Sequence, residues 1–232
     1  MANILHIDSS TKTCSLALAV DGRCVTIRET HDPDFSHSEK LVLFMDEVLK
    51  ESKLHPDHLD AVCVASGPGS YTGLRIGVSA AKGLCYGSNI PLLAVSALES
   101  MAHWARVEFS EQLTDVSFLR PMIDARRMEV YTQLFDASLK QLQPISAEII
   151  DASSFASELA KGKVAFFGDG AAKCKEVINH PNAVFLDSFN PSARGMIALA
   201  EAKFAAKQFE DVAYFEPYYL KDFVAGKPKK VF

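Results

Sequence analysis

The first thirty residues alternate apolar and polar positions in the manner of half-buried strands. Ile4-Leu5-His6-Ile7 runs into a polar turn, Asp8 to Lys12. Cys14, Leu16, Leu18 and Val20 then place apolar side chains on the even positions. Asp21-Gly22 is a strong two-residue hairpin signal, and Arg23 to Glu29 returns as a third strand. The pattern predicts an antiparallel meander. A helical period takes over at Ser36, where Glu39 three residues on makes a capping box. Ala61–Ala65 reads as a short buried strand, Ser66–Tyr71 as a glycine loop, and Leu74–Tyr86 as a helix closed by Gly87. Leu92–Val95 is a further strand, and Ser96 caps a helix through Arg106.

A second block begins near Leu119. Arg120–Asp124 and Glu129–Phe135 read as strands separated by Ala125-Arg126-Arg127, and Ile145–Ile150 as a third, with helix, strand and helix patterns behind them. A meander followed by alternating strands and helices thus occurs twice, the second time more loosely. This predicts an α/β protein with mixed sheets and a duplicated architecture without sequence repeats.

Composition narrows the class. Of 232 residues, 48% are hydrophobic and 23% charged, which is ordinary for a globular protein. No apolar stretch is long enough for a membrane span, and Met1-Ala2-Asn3 lacks a signal-peptide flank, so a cytoplasmic protein is expected. Five scattered cysteines without a C-x-x-C pair read as reduced and structural rather than metal-binding. A net charge of −5 argues against a stand-alone nucleic-acid binder. The local exception is the tail Lys227-Pro228-Lys229-Lys230, either a solvated end or one that holds a phosphate backbone jointly with a partner.

Candidate chemistry centres on Val62 to Gly87. The glycines of Ser66-Gly67-Pro68-Gly69-Ser70-Tyr71-Thr72-Gly73 would let a backbone approach an anion at a helix N-terminus. Their spacing fits neither the Walker loop nor the dinucleotide pattern, so a tight turn setting helix against sheet is the competing reading. The helix behind is lined by Gly77, Ala80 and Ala81, and tolerates Gly83. Glycine inside a helix costs about 1 kcal/mol against alanine, so something needs the space. Close packing within the fold or across a dimer would both serve. The helix from Ser36 is apolar on more than one face (Leu41, Val42, Leu43, Phe44, Met45, Val48, Leu49), consistent with deep burial or with a partner. Asp8-Ser9-Ser10-Thr11-Lys12-Thr13 suits a phosphate or magnesium-bound water, and equally a self-capping turn.

Catalytic signatures are weak. Ser-x-x-Lys occurs at Ser9/Lys12 and Ser79/Lys82 without the companion motifs of acylating serine enzymes. The seven histidines form no H-x-x-x-H or H-E-x-x-H pair.

Several segments together carry a family resemblance. Ile4 to Ser10 with Cys14 to Leu18, Ser66 to Gly77, Val95-Ser96-Ala97-Leu98-Glu99, Ile123-Asp124-Ala125-Arg126 with Glu129-Val130-Tyr131, Gly168-Asp169-Gly170 and Pro217-Tyr218-Tyr219-Leu220 occur in the order seen in the TsaB (YeaZ-like) family. The resemblance implies an actin-like fold of two lobes, of the ribonuclease-H-like class that includes sugar kinases and heat-shock ATPases. With it the lobes are expected at residues 1–104 and 105–232, the tail returning to the first. It also implies a bacterial role in making threonylcarbamoyladenosine on the adenosine next to the tRNA anticodon. There TsaD transfers the threonylcarbamoyl group, TsaB pairs with TsaD or with itself, and an ATPase subunit, TsaE, joins them. TsaD carries an H-x-x-x-H metal pair at positions that fall on Ala97 and Met101 here, neither of which ligates a hard metal.

The resulting expectation is a non-catalytic subunit with no catalytic residue and no metal of its own. It uses Leu41, Phe44, Met45, Val48, Ile76, Gly77, Ala80, Ala81 and Leu84 as a partner interface. Nucleotide contacts, if the chain makes any, fall to Asp8, Ser10, Thr11, Gly168 and Gly170. No cofactor is expected to bind tightly, ATP or ADP and Mg²⁺ belonging at the interface with TsaD, and tRNA is met only through the complex. An independent actin-like ATPase or phosphotransferase is the alternative, and a glycoprotease-like peptidase a remote one.

Overall fold

The computed structural model describes residues 2–31 and 37–221, apart from the side chains of 37–39. The capping box expected of Ser36 and Glu39, and the basic tail Lys227-Pro228-Lys229-Lys230, lie outside the described residues.

The meander forms as its alternation dictates. β1 (Asn3–Asp8), β2 (Cys14–Val20) and β3 (Arg23–Thr30) pair antiparallel, with Asp21 and Gly22 both at positive φ in the turn. α1 (His37–Ser52) leads to β4 (Ala61–Gly67), then α2 (Tyr71–Ser88), β5 (Leu92–Ser96) and α3 (Ala97–Glu108). β4 pairs parallel with both β1 and β5, giving the order β3-β2-β1-β4-β5. α2 starts earlier and ends later than its apolar period suggests. Ser70 caps its start by accepting a hydrogen bond from Gly73 N (3.2 Å), and Asn89 in the left-handed region, not Gly87, ends it.

The second sheet repeats this plan. β6 (Phe118–Asp124), β7 (Glu129–Thr132) and β9 (Ser146–Ile149) form an antiparallel meander, and β10 (Val164–Phe167) and β11 (Ala183–Phe185) add parallel on the other side of β6. The order β9-β7-β6-β10-β11 matches the first sheet strand for strand. The expected single strand from Glu129 to Phe135 is interrupted after Thr132, and Phe135–Asp136 pairs separately with β6 as β8. The helices here are short: α4 covers only Ala156–Leu159.

α1 and α2 cover one face of the first sheet, over a core of Leu5, Ile7, Leu16, Leu18, Val62 and Val64. The opposite face shares a core with the second sheet, built around α3 and joining Cys63 and Leu93 to Leu119 and Phe167. The chain then leaves the second sheet and returns. A short 3-10 helix (Ala193–Met196) and α5 (Ile197–Ala205) pack on the first sheet beside α3. Ser15 Oγ ties this return down, accepting from Ala193 N at 2.8 Å while donating to Glu29, which also pairs with Arg194 at 3.3 Å. Residues 206–221 finally run as a strap along the first sheet and across to β7. The strap is held by Lys82 Nζ on the Ala213 and Phe215 carbonyls (3.0 Å each), by Tyr218 N donating to Ser66 O (2.7 Å), and by Lys221 pairing with Glu129. No described helix is long and apolar enough to cross a membrane.

A candidate site between the two sheets

A cleft of about 590 Å³ opens where the two sheets meet, a volume typical of small-ligand sites. One wall is the β1–β2 turn with the start of α2; the other is the end of β6 with the loop after β10. Of the nucleotide residues expected from sequence, Ser10 and Thr11 line the cleft, together with Lys12, Asp124, Arg126 and Asp169. Asp8 lies behind it, accepting hydrogen bonds from Ser10 N (3.0 Å) and Ser10 Oγ (2.7 Å). That is self-capping turn chemistry.

The glycine loop is filled by its own neighbour. A Cβ at Gly69 would stand 2.1 Å from Ser10 O, and Ser70 N donates to the same carbonyl at 2.7 Å. Glycine is required here because one backbone lies against another. On the far wall, Gly168 sits at φ +103, and a Cβ there would stand 2.3 Å from Met122 O and 2.4 Å from Met101 Cε. Gly170 is likewise pressed on β6, its N–H donating to Met122 O at 3.1 Å. Gly168 and Gly170 therefore lie behind the cleft, and the side chain between them, Asp169, faces it.

The acidic groups of the cleft are engaged by protein. Asp169 accepts from Asp124 N at 3.0 Å, and burial raises its carboxyl above the usual range. Burial also acts to raise Asp124, but the Lys173 ammonium and the Arg126 N–H outweigh it and hold that carboxyl low. Tyr219 of the strap packs against Tyr71 with ring centres 4.9 Å apart and planes tilted by 36°, adding aromatic surface. Lys12 belongs to the polar turn and Tyr71 to the glycine loop that the sequence singles out, whereas Tyr219 comes from the strap. The Tyr218-Tyr219 pair contributed to the resemblance, but nothing local says where an aperiodic strap will cross.

The backbone approach that would hold a phosphate at Gly69 is taken by Ser10, and among the described residues no three His, Cys, Asp or Glu side chains gather as a metal site. Ser9 Oγ is buried and donates to Gly73 O (2.8 Å), and Lys82 is occupied with the strap. His6 is fully buried, and desolvation brings it down to about 4. Burial pushes the Cys14 thiol up to about 12 and Cys85 and Cys174 to about 11, consistent with unreactive structural thiols; Cys24 alone of the five is exposed. Ala97 and Met101, onto which the resemblance lays the TsaD metal pair, are buried apolar residues of α3.

The fold divides the residues expected to form the partner surface. Leu41, Phe44, Val48, Gly77 and Ala81 are buried, four of them in the core beneath α1 and α2 and Gly77 against Ser9. A Cβ on Gly77 would lie 2.2 Å from Ser9 Oγ, so the small-residue stripe serves close packing inside the lobe. Met45, Ile76, Ala80 and Leu84 are half-buried along the seam of the two helices. What the pair shows to solvent is Val42 (65% exposed), Leu43 (47%) and Tyr86 (85%), with open space over Gly83 and Gly87.

Comparison with known proteins agrees with this architecture. The family model of tRNA N6-adenosine threonylcarbamoyltransferase (TsaD) matches residues 34–228. A tRNA threonylcarbamoyladenosine biosynthesis protein TsaB from Haemophilus influenzae is 29% identical over 97% of this chain and 95% of its own length. The TsaB of Bacillus subtilis is 36% identical over 61% of this chain and 59% of its own. The structure of YeaZ from Pseudomonas aeruginosa superposes with a TM-score of 0.79 at 26% identity, over 95% of this chain and all of that one. With two mixed sheets of matching order and this breadth of similarity, the chain has the actin-like two-lobed fold and belongs to the threonylcarbamoyltransferase (TsaD) family, in its TsaB (YeaZ-like) branch.

Proposed function

We propose that this chain works in the cytoplasm in the synthesis of threonylcarbamoyladenosine on tRNA, as a non-catalytic subunit that binds a TsaD-type transferase. The carrying observation is the replacement of the metal pair by Ala97 and Met101, both buried and apolar. Neither side chain ligates a hard metal, and Met101 fills the space against Gly168. A protein with the transferase architecture but no room for its metal is suited to support a catalytic relative. The exposed Val42, Leu43 and Tyr86, flanking half-buried Met45, Ile76, Ala80 and Leu84, supply an apolar face for that relative, or for a second copy in its absence. A TsaE-type ATPase would join the assembled pair, ATP or ADP with Mg²⁺ would be held jointly with TsaD, and tRNA would be met in the complex.

One observation favours a second reading, an independent ATPase or phosphotransferase: Ser10, Thr11 and Asp169 do line a common cleft. The blocked approach at Gly69 weighs against it. Calorimetry on the isolated chain separates the two: tight magnesium-dependent ATP binding supports the second reading, and its absence the first. The function itself is tested by reconstituting the modification with TsaD, the ATPase subunit and preformed threonylcarbamoyl-adenylate, with and without this chain.

A further inference from the structure

The turn between β6 and β7 is built in a way its backbone does not favour. Arg126 and Arg127 are consecutive and both left-handed, at φ 72 and 50. Hairpin turns with two positive φ angles select Asn-Gly, because a Cβ makes the conformation costly. The turn is nevertheless firmly made: Arg126 N donates to Asp124 Oδ1 (2.8 Å), Ala125 N to Glu129 O and Glu129 N to Arg126 O (3.1 Å each). Both side chains reach solvent, and among the described residues neither guanidinium has a hydrogen-bond or ion-pair partner. The carboxylates that flank the turn in the chain are already engaged, Asp124 by Lys173 and Glu129 by Lys221. A chain of net charge −5 thus keeps two guanidiniums without such a partner on a strained turn, and Arg126 of that turn lines the cleft. Strain kept against an available unstrained choice points to function.

Arg126 shares the cleft with Lys12 and with Tyr71 and Tyr219, whose rings pack at a tilt of 36° with Arg75 lying 5.4 Å over the Tyr71 ring. Guanidinium forks match phosphate oxygens, and aromatic faces beside them accept unpaired bases. We propose that the Arg126–Arg127 turn is an RNA contact, gripping the phosphate backbone of a single-stranded tRNA segment whose bases reach toward the Tyr71–Tyr219 pair. An acidic protein surface would use the charges but not the aromatic wall. The inference rests on the function proposed above and adds where this chain itself touches the nucleic acid.

The test uses the full chain assembled with its TsaD-type partner and an unmodified tRNA transcript, with affinity read by fluorescence anisotropy across a salt series. Arg126→Asn with Arg127→Gly keeps the turn and removes the charges. This double variant is expected to melt at or above the wild-type temperature. It should bind tRNA about tenfold more weakly at about 0.1 M salt, with the salt slope reduced by about 1 to 2, near one for each phosphate no longer neutralised. Arg126→Lys with Arg127→Lys should retain most of the binding. Unchanged tRNA affinity and slope in the Asn-and-Gly variant overturns the inference. So does a variant that instead fails to assemble with TsaD, which would assign the turn to a protein, or one that loses ATP affinity alone. Equal tRNA binding by a variant complex that still needs this chain for modification removes only the RNA contact; a reaction indifferent to the chain removes the proposed function itself.

Discussion

Gly77 on α2 and Ser9 on the β1–β2 turn are packed so closely that a methyl group on the glycine would sit 2.2 Å from the serine hydroxyl. That hydroxyl also donates to Gly73 O one turn earlier, at 2.8 Å, so the contact fixes the helix against the sheet. Gly77→Leu should therefore cost stability, on the order of 1–3 kcal/mol or more as an overpacked core position. A shifted urea midpoint checks this. Unchanged stability with weakened partner binding would restore Gly77 to the interface.

The exposed apolar residues behave oppositely. Leu43→Glu or Tyr86→Glu should leave stability within about 0.5 kcal/mol, as surface substitutions do, yet weaken binding to TsaD by about tenfold or more. Calorimetric titration against the purified partner measures the second effect and thermal melting the first.

How much of this was legible in the sequence depends on whether a signal is local. The first meander followed from Leu16, Leu18 and Val20 alternating about an Asp-Gly turn. The duplicated plan was visible although the second helices are short, because a strand shows its period within a few patterned residues. The stripe of Gly77, Ala80 and Ala81 correctly announced a close approach, but a small residue looks the same whether it faces a partner or its own lobe. Only the folded chain sets Ser9 beneath it. Gly168-Asp169-Gly170 stood out in the sequence, but only the fold shows that its glycines press on β6 while Asp169 faces the cleft. The strap carrying Tyr218, Tyr219 and Lys221 has no periodicity, so nothing in sequence predicts that it crosses the cleft.

A buried ion pair provides a further test. Arg120 and Glu158 meet at 3.0 Å, with Gln143 bonded to both and the Phe155 ring centre 4.1 Å from the guanidinium carbon. Glu158→Ala leaves Arg120 buried without its counter-charge and should cost about 3–5 kcal/mol. A denaturant midpoint within error of wild type would show the pair to be energetically idle.

Acid stability should reflect His6. Desolvation lowers its folded pKa to about 4 from 6.5, so the unfolded chain binds the proton first. Stability from this group is complete above pH 6.5, falls as pH drops toward 4, and is flat below that. Between about pH 7 and 5 the loss is about 2 kcal/mol by linkage arithmetic. His6→Leu should flatten that interval in urea melts. An unaltered slope would place the acid sensitivity elsewhere.

The central claim, that a chain with Ala97 and Met101 at the metal positions supports tRNA modification without performing it, has a direct test. Threonylcarbamoyladenosine formation is measured with TsaD, the ATPase subunit and preformed threonylcarbamoyl-adenylate on unmodified tRNA. The rate should collapse when this chain is omitted, and this chain with the ATPase subunit alone should produce none. Full turnover in its absence, or turnover by this chain without TsaD, would contradict the account.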